Sequence, residues 1–451
     1  MEASKTKLFS KDDLKKLIIP LLFEQALAIT VGMADTVMIS SAGEAAVSGV
    51  SLIDMFNNLI ISVLAALATG GAVVTSQFLG AGKKEDACKS AKQLIVSSVC
   101  ITIGISILVM VFCNGIISLF FGKIEADVFH NAVIYMMISA LSFPFLALYN
   151  SCAALFRSMG NAQITLKVSV VENIINIGGN ALGVYALGLG VAGVAIPSLI
   201  SRAVAGFILY RLLKNPSNEV HLLKESFHID WPVIHKIFYI GIPSGIENGI
   251  FQLGRVIVVS IIAGFGTVQI AANGVANSLD SMGCIVGQAM NLAMITVIGR
   301  CVGAGDSGQV RYYTKKLLKI TYLCTFMVNS VILLCLSWIL KCYGLSPETT
   351  QLSYILVMIH NGMAMFLWPA SFVLPNMLRA CNDVRFTMVL SIFSMFVFRI
   401  GFSYIIGVNM GYGAIGVWIA MVLDWIFRVI CFVSRYLSGH WLKTAGLQDN
   451  R

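Results

Sequence analysis

Charge is what this sequence has least of. Asp, Glu, Lys and Arg make up 12% of its 451 residues, against roughly 25% in soluble domains. With 57% hydrophobic residues and a mean hydropathy of +0.84, the shortage excludes an ordinary soluble globule and leaves an integral membrane protein. Stretches of about ten residues with alternating polarity, the mark of a transmembrane β-barrel, are missing too, so the spanning segments are expected to be helices. The eleven cysteines and six histidines show no spacing of a metal site or a disulfide frame. The cysteines read as small buried hydrophobes. "GAGKKED" at 80–86 lacks the spacing of a phosphate-binding loop, and no catalytic triad pattern is present. These absences exclude ATP hydrolysis by this chain and point away from an enzyme or a bound cofactor.

What the sequence does have is apolar length. A helix of about 20 residues crosses a hydrocarbon core about 30 Å thick, and runs of that length recur along almost the whole chain. Twelve spans are expected, near 17–40, 46–79, 92–121, 129–156, 163–186, 190–213, 236–264, 268–299, 313–340, 350–378, 385–408 and 413–436. The opening "MEASKTKLFSKDDLKK" is too long, polar and acidic for the start of a cleavable signal peptide. The first span is therefore expected to stay, with Ser10 and Asp13 capping the helix that enters it. Bases crowd alternate loops, among them Lys5, Lys15, Lys16, Lys83, Lys84, Arg157, Lys214, Lys224, Arg300, Arg379 and Arg435, whereas the other loops offer little beyond Lys123 and Lys341. That asymmetry accounts for the net charge of +9 without nucleic acid, and it predicts an even number of spans with both termini cytoplasmic.

The chain repeats itself. "PLLFE" at 20–24 returns as "PSGIE" at 243–247, and "GAG" at 80–82 returns at 303–305, each 223 positions on. "FRSMGN" at 156–161 and "LRACND" at 378–383 are 222 apart. The longest polar interruption, 214–236, lies between the copies. The expected organisation is a cytoplasmic arm (1–16), an N-lobe of six spans (17–213), a linker (214–236), a C-lobe of six spans (237–437) and a cytoplasmic tail (438–451). Six is an even number, so the repeats are parallel, related by an axis along the membrane normal.

Ionisable groups in such spans cost about 2.5 to 3.5 kcal/mol on insertion scales, so each needs a partner, water or a purpose. Glu24 and Asp35 in the first span are 11 residues apart, about three helical turns, and are expected to line a cavity together. Glu172, Asn173, Asn176 and Asn180 form a polar stripe along span five. Carboxylate and amide oxygens together suit a small hard cation, or an acid that holds a proton; the stripe could equally be an interhelical hydrogen-bond ladder. In the second half, Glu247 and Asn248 are followed along span seven by Gln252 and Arg255. Asp424 and Arg428 are an i,i+4 pair that can satisfy itself. Arg399 has no local partner, which makes Glu247 its candidate partner across the lobe.

"PLLFEQALAITVGMADTVMIS", "VTSQFLGAGKKEDA", "FRSMGNAQITL", "NIGGNALGVY" and "LRACNDVRFTM" resemble the signature stretches of multidrug and toxic compound extrusion (MATE) transporters, and the likeness covers nearly the whole chain. The resemblance implies an all-α membrane protein with two six-helix lobes forming a V around a central cavity. It also implies export of organic, often cationic, compounds against inward H⁺ or Na⁺. It carries the coupling carboxylate onto Asp35, its partners onto Asn176, Asn180 and Ser198, the C-lobe acid onto Glu247 and a helix-bending proline onto Pro20. One departure matters. Where a sodium-using subfamily has an Asp about ten residues before the "LR" motif, this chain has Trp368, so Glu24 is a candidate replacement acid. Any Na⁺ is then expected near Asp35, Asn176 and Asn180. The expected partners are small organic substrates and lipid, with the chain acting as a monomer in the inner (plasma) membrane. A flippase for a lipid-linked oligosaccharide is the alternative reading. Its anionic head group would call for basic residues, and the intramembrane acids weigh against it.

Overall fold

The computed structural model describes residues 7–41, 43–122, 124–222 and 228–448. Lys5, Lys123 and Lys224 lie outside the described residues. The described residues are helical with no strand. The chain forms two compact units, Asp13–Gly245 and Met1–Asp12 with Ile246–Arg451.

The first unit contains α1 (Lys11–Ser40), which opens directly after Ser10, then α2 (Glu44–Gly80), α3 (Lys84–Val111), α4 (Cys113–Phe121), α5 (Ala126–Ser158), α6 (Ala162–Ala181) and α7 (Ala192–Leu213). A π-helical turn, Leu182–Ala186, prolongs α6. The central helix is α5, which packs on α2, α3 and α7. It does so with Met136 and Phe143, which join Ile53 and Ile117 in a core from which solvent is almost wholly excluded. Close packing of this kind needs small residues where backbones meet. Gly183 and Gly193 supply them: a Cβ on Gly193 would stand 2.7 Å from the Gly183 carbonyl carbon.

The second unit takes up α8 (Trp231–Ala263) from Ile246 onward and continues with α9 (Thr267–Gly283), α10 (Ile285–Gly303), α11 (Ser307–Cys342), α12 (Pro347–Trp368), α13 (Leu374–Ala380), α14 (Val384–Ser394), α15 (Gly413–Leu437) and α16 (His440–Thr444). The internal repeat is visible in the element bounds. The stretch Glu44–Gly80 of α2 has its counterpart in Thr267–Gly303, at the offset that relates the "GAG" motifs, and the starts of α3 and α11 are related by that same offset. The turns repeat as well. Gly160 (φ 79°) ends α5 in the left-handed region, and Asn382 (φ 63°) does so after α13. Asn is the residue other than Gly that best tolerates that conformation, which explains "GN" in one copy and "ND" in the other. The glycine contact recurs too, between Gly407 and Gly416.

Eleven helices among the described residues are long and apolar enough to cross a membrane by length and composition. Span five is present as α6 and its π-helical turn, but its polar stripe makes it too hydrophilic to qualify by composition. Span eight is not one helix: a turn at Cys284 divides α9 from α10, whereas the corresponding α2 is unbroken.

Gly193→Val should force the Gly183 contact apart at a cost of about 1 to 3 kcal/mol, read as a lower thermal midpoint of the detergent-purified protein. Gly104, with nothing within 4 Å of the place its methyl group would take, should accept Ala without loss.

Candidate functional site

The first acid of α1 is held in a clasp. Arg157, at the end of α5, donates from Nη2 to Glu24 Oε1 at 2.5 Å, and Thr165 of α6 donates from Oγ1 to Glu24 Oε2 at 3.0 Å. That hydroxyl has one proton and also faces the Ala162 carbonyl at 2.8 Å, so the guanidinium is the main partner of the carboxylate, and Glu24 is only 6% exposed. The ion pair recurs in the second unit, where Arg379 Nη2 lies 2.7 Å from Glu247 Oε2, while Thr387, the counterpart of Thr165, gives its hydroxyl proton to the Val384 carbonyl. Glu24 and Glu247 are the repeat-related acids of "PLLFE" and "PSGIE", and Arg157 and Arg379 the repeat-related bases of "FRSMGN" and "LRACND". Two expectations are thereby corrected. Glu24, expected as an unpartnered acid, is instead held in an ion pair by the Arg157 guanidinium. Glu247 pairs with Arg379 rather than Arg399, because Arg399 lies 3.7 Å from Asp424.

Asp424 of α15 also accepts from Arg428 Nε at 3.1 Å and from the Ser394 hydroxyl, so one carboxylate serves two arginines. Arg255 is exposed on α8, and Asn248 and Gln252 are half-buried there. Pro20 is buried inside α1, which runs through it as a continuous helix. Trp368 is buried, its ring lying where a side chain on Gly287 would be and 4.9 Å from the Phe372 ring.

Asp35 has a different environment. Asn180 donates from Nδ2 to Asp35 Oδ1 at 2.7 Å and to Asn176 Oδ1 at 3.2 Å, and Asn176 donates from Nδ2 to Ser198 Oγ at 2.9 Å. The direction of this chain is set at its far end. Ser198 gives its hydroxyl proton to the Val194 carbonyl, which can only accept. Ser198 therefore accepts from Asn176, which in turn accepts from Asn180, whose amide nitrogen faces the carboxylate. Asn180 Oδ1 is left buried, with no donor among the described residues. Asp35 is half-buried and, among the described residues, forms no ion pair. Asn173 turns to Ser169 at 3.3 Å, and Glu172 is half-buried on the same helix.

The structure adds three residues to this region. Tyr135 of α5 donates to Asp54 Oδ1 of α2 at 2.9 Å. Arg202, one turn beyond Ser198 on α7, donates to Ser142 Oγ at 2.7 Å and lies within electrostatic reach of Asp35, Asp54 and Glu172. Asp54 in "VSLIDMFNN" and Arg202 in "SLISRAV" are lone charges inside apolar spans, so the insertion cost that singled out Asp35 singles them out as well. Tyr135 carries no such signal.

A repeated all-helical membrane fold with a carboxylate–amide cluster defines a multi-pass membrane transporter. The MatE family model matches residues 20–182 and again 243–405, two copies related by the offset of the internal repeat, and the chain belongs to that family. It is 28% identical to "Uncharacterized transporter YisQ" of Bacillus subtilis, over 94% of this chain and 93% of that one. It is 24% identical to "Probable multidrug resistance protein NorM" of Thermotoga maritima, over 98% and 95%. Its fold superimposes with a TM-score of 0.88 on a structure described as an outward-facing conformation of a multidrug resistance MATE family transporter of the MOP superfamily, at 20% identity over 96% of each chain.

Removing one member of a buried ion pair costs about 3 to 5 kcal/mol, while replacing both by apolar groups costs far less. Arg157→Met should therefore sharply lower the thermal midpoint, and Glu24→Leu together with Arg157→Met should restore most of it. Arg379→Met and its double variant with Glu247→Leu should behave alike.

Proposed function

We propose that this protein is a secondary active antiporter that exports organic, cationic or amphipathic compounds in exchange for H⁺ or Na⁺, with Asp35 as the coupling carboxylate. The observation that carries this reading is the environment of Asp35. Glu24, Glu247 and Asp424 each have a guanidinium against them, whereas Asp35 has an amide and, beside it, the donorless Asn180 Oδ1. A carboxylate and a free amide oxygen are ready ligands for Na⁺, and a protonated carboxyl supplies the missing donor equally well. The multidrug wording attached to the relatives supports the substrate class.

Coupling works by competition. The acid holds cationic substrate while ionised and releases it when an ion entering from the other side neutralises the charge. The two access states must bind these ligands with different affinities, because equal affinity shifts nothing. Exchanging one H⁺ for one monovalent cation moves no net charge, so that cycle responds to the pH gradient and not to the membrane potential. The base-rich loops support a plasma-membrane orientation with both termini cytoplasmic. Two repeats in one chain support a monomer as the working unit.

In proteoliposomes with pH and sodium gradients imposed one at a time, one gradient should drive efflux of a cationic dye by the wild type. Asp35→Asn should reduce that driven component at least tenfold, and Asn180→Ala should weaken it. Efflux driven equally well in Asp35→Asn would remove Asp35 from the mechanism. Flux that ignores both gradients would make the protein a channel.

A further inference from the structure

A second buried acid–base constellation lies wholly within the second unit. Asp280 of α9 meets His360 of α12 with Oδ1 2.7 Å from Nε2, and Cys284, at the turn between α9 and α10, donates its thiol to the same oxygen at 3.1 Å. The histidine side chain is 2% exposed and that of Asp280 22%. The ring of His360 stands edge-on to those of Trp425 and Trp418, with centroids 4.8 and 5.5 Å away.

Which ring nitrogen carries a proton can be worked out from the hydrogen bonds behind it. Asn329 of α11 directs Nδ2 at the carbonyls of Thr325 (2.9 Å) and Gly283 (3.2 Å), which can only accept. Its Oδ1 therefore accepts, from Asn361 Nδ2 at 2.8 Å. Asn361 Oδ1 is then the atom that faces His360 Nδ1, at 3.3 Å, and it requires Nδ1 to donate. Gly283 keeps this relay in place, since a Cβ there would fall 2.4 Å from Asn329 Oδ1 and 2.7 Å from Asn361 Nδ2. With Nδ1 carrying hydrogen, a neutral imidazole presents a lone pair at Nε2. That lone pair would point at a carboxylate oxygen already accepting from Cys284. Two acceptors this close need a proton between them.

We propose that Asp280 and His360 form a second cation site in this transporter, one that holds a proton as an imidazolium–carboxylate pair. The spacing selects the ion. Asp280, Cys284 and His360 present their donor atoms within 4.8 Å of one another, the donor set of a transition-metal site. A metal about 2.0 to 2.2 Å from nitrogen and oxygen in tetrahedral geometry would hold them roughly 3.3 Å apart, wider than the contact seen. Na⁺ favours oxygen ligands over this mixture of nitrogen and sulfur. The other charged groups facing the pair are Arg255 of α8 and Arg399 between α14 and α15. Asp424 and Arg428 of α15 are engaged with Arg399 and with each other. The more exposed Asp280 is the end at which the proton enters and leaves.

As a proton site the pair stands alone; as a coupling site it rests on the antiport reading above. The two tryptophans give a readout that does not depend on transport, because an imidazolium in contact with indole quenches its fluorescence. Purified full-length protein in detergent should show one reversible step of quenching as the pH is lowered. His360→Gln should lose the step, because Gln holds the Asn361 contact without a titrating nitrogen. Asp280→Asn should lose it independently, because its amide N–H satisfies Nε2 with no extra proton. Cys284→Ser should keep it. All variants are compared at matched gel-filtration profiles. The proposal is overturned by a missing step in the wild type, by an unchanged step in His360→Gln, or by one equivalent of zinc chloride binding the wild type and not His360→Gln. In proteoliposomes, loss of pH-driven efflux in His360→Gln would make the pair a coupling site. An intact fluorescence step in a wild type that ignores both gradients would overturn antiport and leave the proton site standing.

Discussion

A bilayer interior offers no water to a charge, and the remainder of this structure follows from how each buried ionisable group meets that constraint. The commonest answer is a guanidinium: Glu24 with Arg157, Glu247 with Arg379, and Asp424 with Arg428 and Arg399. These pairs tie together helices distant in sequence, α1 with α5 in one unit and α8 with α13 in the other. A buried pair gains little net energy over an apolar contact, but separating its partners is costly. Its effect is to fix which helices meet and in what register. That the ion pair is made twice, by motifs in matching places of the two repeats, means duplication copied an electrostatic lock together with the helices that carry it.

Against that background the exceptions carry the chemistry. Asp35 is held by an amide whose own oxygen is left unsatisfied, and Asp280 is held by an imidazole whose tautomer is dictated from behind. Both arrangements are polarised by backbone carbonyls at the far end of an amide relay: Val194 behind Ser198 and Asn176, and Thr325 and Gly283 behind Asn329 and Asn361. Carbonyls cannot reverse their polarity, so neither relay can turn round to absorb a change in charge. On the antiport reading proposed above, each site takes its balancing cation from outside the protein.

Much of the fold is legible in the sequence because lipid leaves the backbone few choices. Helices must satisfy their own hydrogen bonds, so apolar length alone locates the spans, and a constant offset between matching motifs locates the repeat. The break at Cys284 is not legible, since Gly283 is needed there for its contact with Asn329 and Asn361, two residues far along the chain. The polar stripe of α6 and the acid of α1 can be read as candidates from insertion cost. Their partners cannot, because periodicity places residues on a face without saying which helix covers it. The pairing of Arg399 with Glu247 fails for that reason, and nothing local joins Glu24 to Arg157 although both lie in repeated motifs. A repeat supplies the missing information in part: two acids and two bases preserved at nearly one offset are candidates for the same contact made twice.

The two repeats have diverged where ions would be held. Asn57 of α2 is bonded to Ser139 of α5 at 3.2 Å, and its counterpart in the second copy is Asp280. The counterpart of Ser139 is Asn361, next to His360. One copy thus keeps a neutral amide–hydroxyl contact where the other has an acid, a base and an amide relay. The reverse holds for the carboxylate–amide cluster, since Asp35 corresponds to Val258 in the second copy. The second unit has Trp368 at the end of α12, packed against Phe372 and lying where a side chain on Gly287 would be. Its ionisable pair lies about two turns earlier on the same helix, at His360. Duplication supplied two equal scaffolds, and the burden of holding a charge has been placed on a carboxylate and amides in one and on a carboxylate and imidazole in the other. On the reading proposed above, the oxygen ligands around Asp35 take Na⁺ or H⁺ and the 2.7 Å contact between Asp280 and His360 takes a proton, so the diverged copies would hold ions of different kinds.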